Sequence, residues 1–207
     1  MVLLLLLATM TPPFAQATQS AYAQQDADRL RALFKRASSQ SDSLLVRYRL
    51  YPLTEEETVL EGIPASLSNG TPREYALLSG LWAYRAGEAS FFSAIEYGRR
   101  STNLLEKAKA RAADNPFVLL VEGQSLLFRP AIAGRDPTAA ADRFDRLAQL
   151  VGEQAVPAIS ETEAQVWRWL ALREAKNMRK ANALHAYLVK RELPPLYRQF
   201  LEDPPEV

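Results

Sequence analysis

The stretch Asp114-Asn115-Pro116-Phe117-Val118-Leu119-Leu120-Val121-Glu122-Gly123-Gln124-Ser125-Leu126-Leu127-Phe128 decides how the rest of the chain reads. Asp114 or Asn115 can cap a helix, and Pro116 suits its first turn, where a missing N–H costs nothing. Inside the helix one small residue, Gly123, stands among large apolar ones. A helix-interior glycine costs about 1 kcal/mol against alanine, so it marks a close approach by a second helix. Arg129-Pro130 through Gly134-Arg135-Asp136-Pro137 breaks the helix. A second amphipathic helix, 138–151, then places Ala141, Phe144 and Ala148 on one face. Helix, turn and antiparallel helix, with a small residue at the crossing, is the unit from which α-solenoids are built.

Outward from this pair the pattern stays helical, with no β alternation of any length. On the N-terminal side, 26–38 reads as a helix with Leu30, Leu33, Phe34 and Ala37 at 3-and-4 spacing. In 44–51, Leu44, Leu45, Tyr48 and Tyr51 share the apolar side, Arg47 and Arg49 lie elsewhere, and Pro52 closes the helix. Thr54-Glu55-Glu56-Glu57 reads as a capping-box start for another. Residues 63–72 are turn-rich and separate this N-terminal element from a repeat body. Helices follow over 73–86 (Tyr75, Leu78, Trp82 and Leu81 or Ala83 inward), 90–113 (Phe91, Ile95, Leu104, Leu105, Ala108), 161–177 (Val166, Trp167, Leu170, Ala171, Ala175) and 181–190. The tail 193–201 is expected to cap the last pair.

Gly80, Gly123 and Ala171 take the helix-crossing positions, 43 and 48 residues apart. A regular tetratricopeptide array repeats every 34 residues. The expected fold is therefore all-α: an irregular, tetratricopeptide-like (TPR-like) array of antiparallel helix pairs, a right-handed α-solenoid. Its organisation reads as a signal peptide (1–23), an N-terminal helical element (24–70), helix-pair repeats (71–192) and a C-terminal cap and tail (193–207).

Asn115-Pro116, Gly123-Gln124-Ser125-Leu126-Leu127-Phe128, Pro130, Gly134, Ala139 and Phe144 together resemble a group of exported bacterial TPR-like proteins. The group shows an NP-led helix, a proline and glycine pair in the turn, and a helix ending in F-x-x-A. Here Arg135 stands for the second glycine, and Leu147-Ala148 displaces the small residue after Phe144. More distantly the chain is similar to the T-component of TRAP transporters, the solute-handling accessory proteins of tripartite systems. The resemblance implies a periplasmic helical-repeat protein and carries no catalytic residue with it.

Val2–Met10 has the length of a signal-peptide apolar core, about half of a membrane span. Ala15-Gln16-Ala17 and Ala21-Tyr22-Ala23 are two small-x-small cleavage sites, and the second is favoured because a polar, helix-forming segment follows it. No Lys or Arg precedes the apolar run; a start placed downstream of the natural one would account for that. The competing reading keeps the run as an anchor or packs it on the domain. Export would place the protein in the periplasm or outside the cell, without a stable membrane span after cleavage.

Composition narrows the chemistry. Twenty-five basic and 24 acidic residues leave a formal net charge of +1, which gives no global pull toward nucleic acid. The absence of cysteine and the single histidine remove thiol chemistry and most metal sites. The eight glycines are scattered and form no phosphate loop, and no G-x-S-x-G motif occurs. His185 reads as a packing or surface histidine. Glu55-Glu56-Glu57 reads as a helix-dipole complement, and Arg99-Arg100 with Lys107, Lys109 and Arg111 as a solvated face. No catalytic residue, metal or cofactor is expected.

Aromatic residues stand above this background. Trp82, Phe91 and Trp167 are expected in the core. Tyr84, Phe92 and Trp169 are then left to line a groove for a peptide or an apolar ligand. The expected function is a non-enzymatic scaffold or adaptor that meets another protein or peptide in the bacterial cell envelope. The alternative is a periplasmic accessory protein of a transporter that binds a small molecule or lipid.

Overall fold

A computed structural model of the chain describes residues 13–207; the apolar run Val2–Met10 lies outside the described residues. Ten α-helices, two short 3-10 turns and no strand occur among them. They are α1 (Phe14–Ala23), α2 (Ala27–Arg36), α3 (Gln40–Thr54), α4 (Pro72–Gly87), α5 (Phe91–Ala112), α6 (Pro116–Phe128), α7 (Pro137–Glu153), α8 (Glu161–Glu174), α9 (Met178–Leu188) and α10 (Pro195–Glu202).

Local chemistry sets most boundaries. Asp26, Ser39, Asn115, Asp136, Ser160 and Asn177 each accept a backbone N–H at a helix start. Thr71 and Glu74 form a reciprocal capping box ahead of α4, with Pro72 in the first turn. Pro52 does not close α3, which continues to Thr54 and ends with Glu55 in the left-handed region. Pro52 stands two residues before the last helical residue and removes one ladder bond near the end of a helix that packs on α1 and α4. Thr54 is consequently not a cap: its hydroxyl donates back to Leu50 O at 3.2 Å, and only a 3-10 turn, Glu57–Leu60, follows.

Consecutive helices pack as pairs, α4 on α5, α6 on α7 and α8 on α9. Contacts of α4 with α6 and of α6 with α8 run from pair to pair, and α7 also lies on α8. Two of the crossing positions carry a ring from a neighbouring helix. A Cβ on Gly80 would stand 2.5 Å from the Tyr48 ring of α3, and one on Gly123 would stand 2.5 Å from the Phe144 ring of α7. Ala171 is fully buried in α8. The tail helix α10 packs on α8 and on α1, so the first and last described helices touch.

The two expected cleavage sites both lie inside α1, whose Ala17, Ala21, Tyr22 and Ala23 are buried against α2, α3 and α10. A chain beginning at Gln24 would lack this helix altogether. Beneath it sits an ion pair absent from the expected core: Arg49, 1% exposed, bonds to Glu163, which is completely buried. The sequence pattern puts Arg49 off the apolar side of its helix. α3 is instead apolar nearly all round, enclosed by α1, α2 and α4, which leaves its arginine no solvent face.

Candidate functional surface

Arg49 Nη2 donates to Glu163 Oε2 at 3.0 Å and to Ala158 O at 2.8 Å. The guanidinium lies under the Tyr22 ring at 4.5 Å and near Tyr48 at 5.6 Å. Burial is the largest single influence and works against the Arg49 charge, but the Glu163 carboxylate and the Tyr22, Tyr197 and Tyr48 phenols together outweigh it and hold the pKa above the ordinary arginine value. Ala158 is held at φ 73° to aim its carbonyl at this group. Glu163 occupies the third position of α8, where it could have completed a capping box with Ser160. Ser160 does accept the Glu163 N–H at 3.1 Å, but the carboxylate turns inward to Arg49. Tyr48 donates to Gln124 and stacks near Tyr84 at 5.7 Å. Arg49, Glu163, Ala158, Tyr22 and Tyr48 are all buried, so the ion pair is an internal clasp, with only the flanking Gln124, Tyr84 and Ser160 reaching partly toward solvent.

The three residues expected to line a groove do not come together. Trp169 is 5% exposed, with its ring against His185 at 5.5 Å and Arg173 at 5.4 Å. It is consumed because α8 is covered on both sides: Trp167 meets Phe144, Phe128 and Phe200, while Trp169 meets α9. Tyr84 is half-buried and stacks on Tyr51 at 4.9 Å; burial pushes its phenol well above the usual range. Phe92 alone is free, 84% exposed. Phe91, expected in the core, stands beside it at 74% exposure, the two rings edge to face at 5.6 Å. Ile95 is also exposed, because α5 begins to bury side chains only at Ser101.

This apolar tip forms a shoulder where α4 turns into α5. On one side a half-open cleft of about 330 Å³ is lined by Glu57, Glu61, Arg85, Glu88, Ser93 and Tyr97. Another, of about 340 Å³, lies among Ser66, Glu96, Arg99, Arg100, Asn103 and Lys107. Between them Trp82 is buried, donates to Pro64 O at 3.0 Å, and has the guanidinium groups of Arg100 at 4.4 Å and Arg85 at 5.2 Å from its ring. The basic runs are largely engaged: Arg100 with Glu96, Lys109 with Glu106 and Glu122, Arg111 over the Tyr75 ring at 4.6 Å. Among the Glu55-Glu56-Glu57 carboxylates, Glu56 pairs with Arg31. Among the described residues no cluster of His, Asp or Glu suits a metal ion, and no helix is long and apolar enough to cross a membrane.

The sequence pattern puts Phe92 in a groove with Tyr84 and Trp169, and Phe91 and Ile95 in the core; all three of Phe91, Phe92 and Ile95 are instead exposed on this shoulder. Adjacency of Phe91 and Phe92 shows only that a helix covered on one side cannot bury both; nothing local reveals that the buried part of α5 starts at Ser101. Set against known family models, curated proteins and solved structures, the chain matches none.

Proposed function

We propose that the chain is a non-enzymatic helical-repeat scaffold of the TPR-like kind that docks another polypeptide on the α4–α5 shoulder. The observation that carries this is the pair Phe91–Phe92, two large rings exposed together at the tip of stacked helix pairs. Exposed aromatic anchors flanked by charge are the usual core of a protein–protein contact. The adjoining clefts are half-open and lined mainly by charged and polar side chains, which suits the rim of such a contact better than an enclosed ligand chamber.

The proposed setting is the bacterial cell envelope, on the strength of the apolar run Val2–Met10 and the exported proteins the central helix pair resembles. With α1 built into the core, any processing that yields this folded body falls ahead of Phe14. A photo-crosslinking residue at position 92, introduced in cells, tests the docking. A polypeptide adduct at 92, absent from a probe at Asn182 on α9, is the expected outcome. Equal labelling at both positions, or none at 92, sinks it.

A further inference from the structure

Resting on that reading, we infer that the partner fitted by the shoulder is a second copy of this chain, joined α5 to α5 about a two-fold axis beside Ile95. Three glycines lie well inside helices. Gly80 and Gly123 each seat an aromatic ring from a neighbouring helix. Gly98, in the middle of α5, has nothing within 4 Å of where its Cβ would stand. A glycine there gives up about 1 kcal/mol of helix stability and gains no packing within the monomer. Twice in this protein such a glycine is the notch for a ring. At the third, the ring is missing from the fold, while two unseated rings stand on the same helix.

Phe91, Ile95, Gly98 and Thr102 follow one another at i, i+4, i+7 and i+11, a single stripe along α5. Ring and notch are separated along the axis by about 10 Å, seven residues of rise. Laying a second α5 antiparallel on this stripe brings Phe91 of each copy over Gly98 of the other, with Ile95 against Ile95 at the axis. A two-fold contact requires one surface to complement itself, and this stripe does. The charges agree with the register. It sets Arg99 of each copy, exposed on α5, within about a turn of Glu88, exposed just ahead of the other α5. Phe92, next to the stripe, closes over the flank of the contact.

The full chain contains no cysteine, so single-cysteine variants report the geometry directly. Ile95→Cys is expected to give a disulfide-linked dimer on mild oxidation, and Asn182→Cys, exposed on α9, to stay monomeric. In sedimentation velocity over a concentration series, Phe91→Ser and Gly98→Leu are each expected to weaken dimerisation at least about tenfold, with circular dichroism unchanged. Association that both variants leave intact overturns the inference, as does a chain monomeric at every concentration. A monomer whose position-92 probe captures a different polypeptide overturns self-association while leaving the scaffold reading in place.

Discussion

Arg49 and Glu163 stand 114 residues apart in the chain and share a bidentate contact from which solvent is excluded. The pair ties α3 to α8, two helices otherwise linked through the packing of their neighbours. Removing one partner leaves the other charge buried alone, which generally costs about 3–5 kcal/mol. Glu163→Gln is expected to show that loss in chemical denaturation. The double change Arg49→Met with Glu163→Leu is expected to recover most of it, since it removes both desolvation penalties. A double variant as unstable as the single one would show that the pair contributes more than charge balance.

Glycine substitutions should separate by what lies above them. Gly123→Ala forces a methyl into the Phe144 ring and is expected to destabilise by about 1–3 kcal/mol, with partial rescue by Phe144→Leu. Gly98→Ala meets open space and should stabilise the dilute protein by up to about 1 kcal/mol. Thermal midpoints moving in the same direction for both would contradict the placement of α7 on α6.

Alkaline pH should expose the phenolic core. Burial pushes Tyr22 up to about 12, and raises Tyr48, Tyr84 and Tyr197 as well. Below pH ~10 these phenols are protonated in both folded and unfolded chains, so stability is at its full value. Between about pH 10 and 12 the unfolded chain ionises first. Each such tyrosine then lowers stability by about 1.4 kcal/mol per pH unit. Tyrosinate absorbance should accordingly rise together with loss of helical circular dichroism; a separate, earlier tyrosinate step would mean that these rings are solvated.

Truncation tests the place of α1. A chain beginning at Gln24 lacks Tyr22, the ring over Arg49, and leaves the buried pair open toward solvent on that side. Its melting transition should broaden and fall well below that of the full chain. An unchanged transition would show that α1 is dispensable to the fold.

Asn115 before Pro116 marked the start of α6, whereas Asn177, read as the end of one helix, caps the start of α9 three residues ahead of the expected Ala181. The pairing of α6 with α7 could be read because Gly123 signals a close helix approach; that the approaching group is the Phe144 ring is visible only in the structure. Three things were not legible. Pro52 reads as a stop, yet tertiary packing carries α3 past it. Arg49 reads as a surface charge, because nothing local reveals that its partner lies more than a hundred residues away. Trp169 reads as spare, because the burial of both sides of α8 depends on α9 and α10 packing where they do. Each of these three belongs to a long-range contact; Phe91 and Ile95, read as core, stand exposed instead, and Phe92 is exposed without the Tyr84 and Trp169 expected beside it.

The junction of α1 with α10 also bears on the order of events in folding. Gln19 donates to the Tyr197 hydroxyl at 3.4 Å, and Gln25 bonds to Gln199. The first described helix therefore finds its final neighbour in the last described helix, at sequence separations of 178 and 174. Closure of this core is therefore a non-local event: α1 and α3 wait for α8 and α10, more than a hundred residues further along the chain, and a core built on such distant contacts closes late in folding.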